Sequence, residues 1–193
     1  MDKLQSISNF NFASYGLEDL HQKSFREWSE NEIEQALAAF ASEDIAPIFL
    51  GQFFTFQYID TLLATSHCRC CGRCCLPNCA PQNSSRLLVT KKDLKAIADC
   101  TNFSYKALLK KTSVVREDEV SKRRFLPLPC MFLGQKTYMN CEVYLGRPRV
   151  CKMYPIILLE GQDGIGISVR CDYGKDIFRN LLSAAREVAQ RYA

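Results

Sequence analysis

Apolar positions along this chain change period several times, and each change predicts a different element. Ile33, Leu37 and Phe40 recur at spacings of four and three, which lays them on one face of a helix over residues 24–40. Ser29-Glu30-Asn31-Glu32 has the residue types that cap such a helix or restart it. Ser42-Glu43-Asp44 predicts the cap of a second helix, with Pro47 tolerated in its first turn. That helix would carry Ile48, Phe49, Phe53, Phe56, Ile59, Leu62 and Leu63 on a broad apolar surface and end at Ser66-His67. Residues 1–22 have no clear period. There Phe10, Phe12, Tyr15 and Leu17 are expected to pack as an arm, and Asn9 and Asn11 favour turns.

Further along, the predicted elements shorten. Residues 76–85 are turn-rich, and Arg86-Leu87-Leu88-Val89 reads as a strand. Thr90-Lys91-Lys92-Asp93 resembles a capping box with Asp in place of Glu, opening a helix through Leu94, Ile97 and Ala98 to about Cys100. Ser104 caps another over residues 105–112. Residues 116–124 mix both charge signs and suit a solvated loop or hairpin edge. Gly134-Gln135-Lys136 predicts a turn between apolar residues 125–133 and residues 138–144. Residues 156–159 and 165–169 read as strands paired around residues 161–164. A closing helix over residues 175–192 would bury Ile177, Leu181, Leu182, Ala185, Val188 and Ala189.

Composition narrows the classes. A chain of 193 residues suits one domain, or one domain with an appendage. Its 47% hydrophobic and 24% charged residues are those of a soluble globular protein. The net charge of +4 is mild, and the basic run Lys122-Arg123-Arg124 follows three acids, so no nucleic-acid partner is expected. The longest apolar run, residues 45–63, contains Pro47, Gln52, Gln57 and Asp60, so no membrane span is expected. No apolar leader follows Met1, which implies a cytoplasmic setting with reduced thiols.

That setting gives the cysteines their meaning. There are eleven, an odd number that does not close a disulfide framework. Five fall within residues 68–75, in the spacing Cys68-x-x-Cys71-x-x-Cys74-Cys75. Disulfides between such close neighbours are geometrically poor. Thiolates aimed at one point repel unless a cation lies between them, so the loop reads as a metal or iron–sulfur site. Gly72 stands where the loop needs a turn without a Cβ. The softness of sulfur favours zinc, iron–sulfur or Cu(I) over Mg or Ca.

The remaining cysteines extend the pattern. Pro-Cys-x-Phe-Leu occupies residues 129–133, Cys-x-x-Tyr-x-x-Arg-Pro-x-x-Cys-x-x-Tyr-Pro occupies residues 141–155, and Cys171 follows. Residues 67–175 thereby resemble the YkgJ-type CxxCxxCC cysteine-cluster family, described as zinc- or iron-chelating. The resemblance implies Cys68, Cys71, Cys74, Cys75, Cys130, Cys141, Cys151 and Cys171 as metal ligands. Cys70, Cys79 and Cys100 lie outside the pattern. Cys70 is expected to point away from the ligands, Cys79 to be a spare, and Cys100 to be an ordinary core residue. Such a domain is also similar to the cysteine-rich part of a flagellin lysine methyltransferase linked to a 4Fe–4S cluster. That likeness favours an iron–sulfur cluster (4Fe–4S), with zinc as the alternative.

Charge fits this reading. Arg69, Arg73, Arg147, Arg149, Lys152 and Arg170 all lie within a few residues of expected ligands, where cations favour thiolates. Arg147 is expected to hydrogen-bond a loop carbonyl or a sulfur. His21 and His67 form no catalytic dyad; His67 abuts the loop but enters a site already crowded with sulfur. No Gly-rich phosphate loop, zinc-protease helix or nucleophile elbow is present.

The expectation is therefore an α+β protein. A cysteine-cluster core with short antiparallel strands is packed under N-terminal and C-terminal helices. The domains are a helical extension at 1–66 and a metal-binding domain at 67–193. Its function would be to bind a metal or cluster for electron transfer, metal handling or maturation of a protein partner. The alternatives are a methyltransferase-like, cluster-dependent protein-modifying enzyme and a zinc-stabilised interaction module.

Overall fold

The structure is a computed structural model, and it describes residues 10–24, 27–43, 46–50, 56–77, 86–116, 122–134, 141–158 and 164–191. The fold class is α+β, with helices and two small antiparallel sheets. The chain divides into two compact units, Cys68–Tyr154 on the one hand and Met1–His67 with Pro155–Ala193 on the other. The closing helix, expected to belong with the cysteine domain, is thus grouped with the N-terminal residues.

In the unit built from both ends, helix α1 (Glu30–Ser42) starts at a reciprocal capping box. The Glu32 N–H donates to Ser29 Oγ at 3.2 Å and the Ser29 N–H to Glu32 Oε2 at 2.7 Å. The helix begins six residues later than the apolar period alone predicts, because this box fixes its start. Ile33, Ala36, Leu37 and Phe40 form its buried face. The aromatic arm packs as expected: Phe10 and Phe12 are buried edge-on against Phe40, and Phe12 also meets Trp28.

The predicted second helix is corrected. Ile48–Leu50 is a strand, β1, and the next helix is α2 (Phe56–Ala64), whose Ile59 and Leu62 are buried. The physical reason is a distant partner. Strand β1 pairs antiparallel with a strand far downstream, aligning Ile48 with Gly166, and the Pro47 carbonyl accepts from the Ile167 N–H at 3.0 Å. Proline also disfavours helix in the residue before it. Phe53 and the rest of residues 51–55 lie outside the described residues.

The other unit holds a sheet in the order β2–β4–β3, made of β2 (Arg86–Val89), β3 (Ser113–Arg116) and β4 (Lys122–Pro127). Of the charged 116–124 segment, Arg116 and residues 122–124 are strand, and residues 117–121 lie outside the described residues. Helix α3 (Lys91–Asp99) opens at the Thr90–Asp93 capping box, and α4 (Tyr105–Lys111) at Ser104. Leu87, Val89, Leu94, Ile97, Leu108, Leu126, Phe132 and Val143 form the core of this unit. A short helix the apolar pattern did not announce, α5 (Arg149–Met153), follows Pro148.

In the first unit, β5 (Ile156–Leu158) and β6 (Gly164–Ile167) pair antiparallel, as expected, and β1 completes their sheet in the order β1–β6–β5. Helix α6 (Asp172–Arg191) begins three residues before its expected start and buries Tyr173, Ile177, Phe178, Leu181 and Leu182. It is fastened by polar ties. Tyr173 Oη donates to the Leu63 carbonyl at 2.8 Å, and the Arg179 guanidinium forks onto Glu34 at 2.6 and 2.7 Å. The predicted turns at 135–136 and 161–163, residues 138–140 and Tyr192 lie outside the described residues.

Candidate metal centre

The loop after His67 is built to fold back on itself. Gly72 adopts φ +76°, the left-handed region in which a Cβ is strained, and a single 3₁₀ turn, Arg73–Cys75, follows. The Cys75 N–H closes that turn on the Gly72 carbonyl at 2.9 Å. Cys70 also has positive φ, +52°, unusual for a residue with a side chain. Its N–H points at Cys68 Sγ, 3.4 Å away. Cys75 is buried, Cys68 and Cys74 are half-buried, and Cys71 is exposed.

Two further segments are tied to this loop through the backbone. The Cys130 N–H donates to the Cys75 carbonyl at 2.8 Å. A tight turn then runs from Cys130 to Leu133, which is bridged antiparallel to Cys141, and the Glu142 N–H donates to the Phe132 carbonyl at 3.0 Å. The chain then passes Gly146, which lies so close to α3 that an added Cβ would be 2.5 Å from the Ala96 carbonyl oxygen. Asp93, already capping α3, accepts the Arg149 N–H at 2.9 Å and so fixes the start of α5. That helix supplies Cys151. Cys130, Cys141 and Cys151 all pack against the hydrophobic core of their unit, which gives the sulfurs a rigid floor.

The side chains meet around Cys75. Its thiol makes hydrogen bonds with Cys130, Cys141 and Cys74, and these hold its pKa far above the ordinary value. The same contacts act in the opposite sense on the partners. The bond from Cys75 pulls Cys74 and Cys130 down and brings Cys141 down to about 6. These opposed directions follow from hydrogen bonds shared among four close sulfurs, with Cys75 at the point where they come together. Burial pushes the Cys151 thiol up, with the nearby sulfurs of Cys74, Cys130 and Cys141 adding to the effect. Burial likewise raises Cys68, which also feels Cys70, Cys74 and Arg147.

Arg147 takes the role expected of it. Its Nε donates to the Tyr144 carbonyl at 3.0 Å, and its guanidinium lies 3.7 Å from the centroid of the Tyr144 ring. From there its charge favours the thiolate forms of Cys68, Cys74, Cys141 and Cys151. The Tyr144 hydroxyl shares a hydrogen bond with Cys70. Tyr144 and the second function of Asp93 were not anticipated from the sequence, although the Tyr-x-x-Arg spacing inside the cysteine motif carried the signal for the first.

Of the eight expected ligands, Cys74, Cys75, Cys130 and Cys141 are in direct contact, and Cys68 and Cys151 are in electrostatic reach of them. Cys71 shares their loop. Cys171 belongs to the other unit, where it is buried and its carbonyl accepts from the Lys175 N–H at 3.1 Å. Cys100 corrects its expectation: it is exposed at the C-cap of α3, its thiol facing the Ile97 carbonyl at 3.4 Å. Cys79 lies outside the described residues, and His67 is exposed. Among the described residues no three His, Cys, Asp or Glu side chains stand splayed around one point in ready-made ligand geometry; the sulfurs touch one another instead. The donor set itself, sulfur on sulfur over an apolar floor, fits a soft metal.

Comparison with known proteins agrees with this chemistry. An uncharacterized protein of Methanocaldococcus jannaschii, MJ0661, is 33% identical over 89 residues, which cover 46% of this chain and 43% of that protein. The chain therefore spans less than half the length of that relative. No solved structure matches it. Residues 67–172, more than half the chain and the span containing all eight expected ligands, match the CxxCxxCC family, whose description is "Putative zinc- or iron-chelating domain", and the chain belongs to that family.

Proposed function

We propose that this protein binds an iron–sulfur cluster, 4Fe–4S in the first instance, through sulfurs drawn from Cys68, Cys71, Cys74, Cys75, Cys130, Cys141, Cys151 and Cys171. The bound centre would serve electron transfer, metal handling or maturation of a protein partner in a cytoplasmic setting. The observation that carries the reading is the meeting of Cys75 with Cys74, Cys130 and Cys141, three stretches of chain brought to one place. Four thiolates are the ligands such a cluster takes, and when bound the cluster supplies one-electron chemistry. The chain's own part is to gather the sulfurs, to hold them over a dry floor and to offset their charge with Arg147.

Zinc is the second reading, favoured by the family description, which names zinc as well as iron. It would make the centre structural or a store rather than redox-active. Anaerobic purification followed by metal analysis and visible absorption separates the two. Iron with acid-labile sulfide and a broad thiolate-to-iron absorption supports the first reading. Stoichiometric zinc in a colourless protein supports the second. Protein that takes up neither metal, with freely titrating thiols, overturns both.

A further inference from the structure

The two units differ sharply in charge, and the difference is hidden in the modest total. Residues 68–154 hold seventeen Lys and Arg against six Asp and Glu, a net of +11. The rest of the chain holds eight against fifteen, a net of −7. A field of one sign on a unit this small steers oppositely charged partners toward it.

Near the sulfur loop this charged unit carries an apolar projection. Leu145 is 87% exposed, by far the most exposed large apolar side chain among the described residues. It is held out between fixed neighbours. On one side Tyr144 is bonded to Cys70 and covered by Arg147; on the other Gly146 is pressed against α3 beside Ala96. The segments tied to it carry basic side chains: Arg69 adjoins Cys70, Arg149 stands four residues on at the start of α5, and Lys92 adjoins Asp93, which accepts the Arg149 N–H; all three are exposed. An apolar anchor on a rigid base within a polar rim is the anatomy of a protein–protein contact. A phosphate backbone offers nothing for a leucine to bury in.

We infer that Leu145 and the basic residues on the segments tied to it are the docking surface for a protein partner that presents an apolar side chain flanked by acidic residues. This deepens the metal-centre reading by naming the chemistry of the partner that would reach the sulfurs. Its test does not depend on metal, so the surface can fail while the centre stands.

The probe is a fluorescein-labelled peptide of glutamates around one central phenylalanine, titrated with the full-length protein and read by anisotropy. Saturable binding is expected, weakening about tenfold or more between about 50 and about 300 mM NaCl as screening sets in. Leu145→Asp should weaken it by about tenfold. Arg149→Glu with Lys92→Glu should do so more strongly than Lys110→Glu with Lys111→Glu, which makes the same change in net charge on α4. Circular dichroism confirms that each variant is folded. Equal losses from the two charge pairs would show that net charge alone is at work and would overturn the surface. Tighter binding of a single-stranded DNA of about 20 nucleotides, indifferent to Leu145→Asp, would overturn it in favour of nucleic acid. Mass that rises with concentration at low salt and returns to monomer in Leu145→Asp would overturn an external partner in favour of a second copy, whose acidic unit would then be the occupant.

Discussion

The Cys130 N–H donates to the Cys75 carbonyl at 2.8 Å, so two cysteines far apart in sequence are joined first by backbone and only then by sulfur. The contact sets the two thiols side by side before anything binds them. A carbonyl of the loop turn is satisfied by the segment that brings the next thiol, so the same fold that makes the turn gathers the two sulfurs. Cys75→Ser keeps that backbone bond and removes the sulfur that touches three others. Its expected effect is a loss of metal affinity of at least about tenfold, whereas Cys100→Ser leaves metal content unchanged. Metal per chain after anaerobic reconstitution decides between the two.

Gly146→Ala should be among the most damaging small substitutions in the cysteine unit. The new Cβ would lie 2.4 Å from Cys100 Sγ and 2.5 Å from the Ala96 carbonyl oxygen. The thiol can turn aside; the helix carbonyl cannot. We expect a loss of roughly 2–4 kcal/mol, measured by chemical denaturation, and little rescue by adding Cys100→Ala.

Asp93 serves two helices and Thr90 only one. Thr90→Ala removes a single cap and should cost about 1 kcal/mol. Asp93→Ala also strands the Arg149 N–H, now bonded at 2.9 Å, and should cost about 2 kcal/mol. The same variant should loosen Cys151, which α5 carries. Equal destabilisation of the two variants in urea melts would mean that the tie to α5 contributes nothing.

Acid should act on the other unit through Glu32. The Lys23 ammonium, 2.6 Å away, and the backbone and hydroxyl of Ser29 hold its carboxyl down to about 2, against an ordinary 4.5. A carboxyl whose folded-state pKa is depressed stabilises the fold above its unfolded pKa, and that contribution drains away as pH falls through the folded value. Stability should therefore slope downward from about pH 5 to about pH 2, and Glu32→Gln should flatten that slope. Urea melts across this range measure it; an unchanged slope in the variant would remove Glu32 from the account.

Local signals were legible in the sequence and distant ones were not. Both capping boxes, Ser29–Glu32 and Thr90–Asp93, stand where their residues predict, because a cap is a bargain among four neighbours. The β5–β6 hairpin was readable for the same reason. Strand β1 was read as helix because its partner lies near the other end of the chain, and an apolar run by itself fits either element. Cys100 falls late in a predicted helix, and free cysteine is a common core residue, but the helix ends just before it and leaves the residue exposed. In the candidate centre, cysteine spacing announces the loop. The contact between Tyr144 and Cys70 did not show, since it accompanies a left-handed φ at Cys70 that no pattern of residue types predicts.

The division of the chain has a consequence for synthesis. Cys68–Tyr154 is one uninterrupted stretch, while β1 must wait for β6, which the ribosome delivers later. A nascent chain thus presents Cys68 through Cys151 before the β1–β6–β5 sheet can close. Every residue of that unit leaves the ribosome before β6 does, and a chain stalled after Tyr154 would already own the thiols that meet at Cys75.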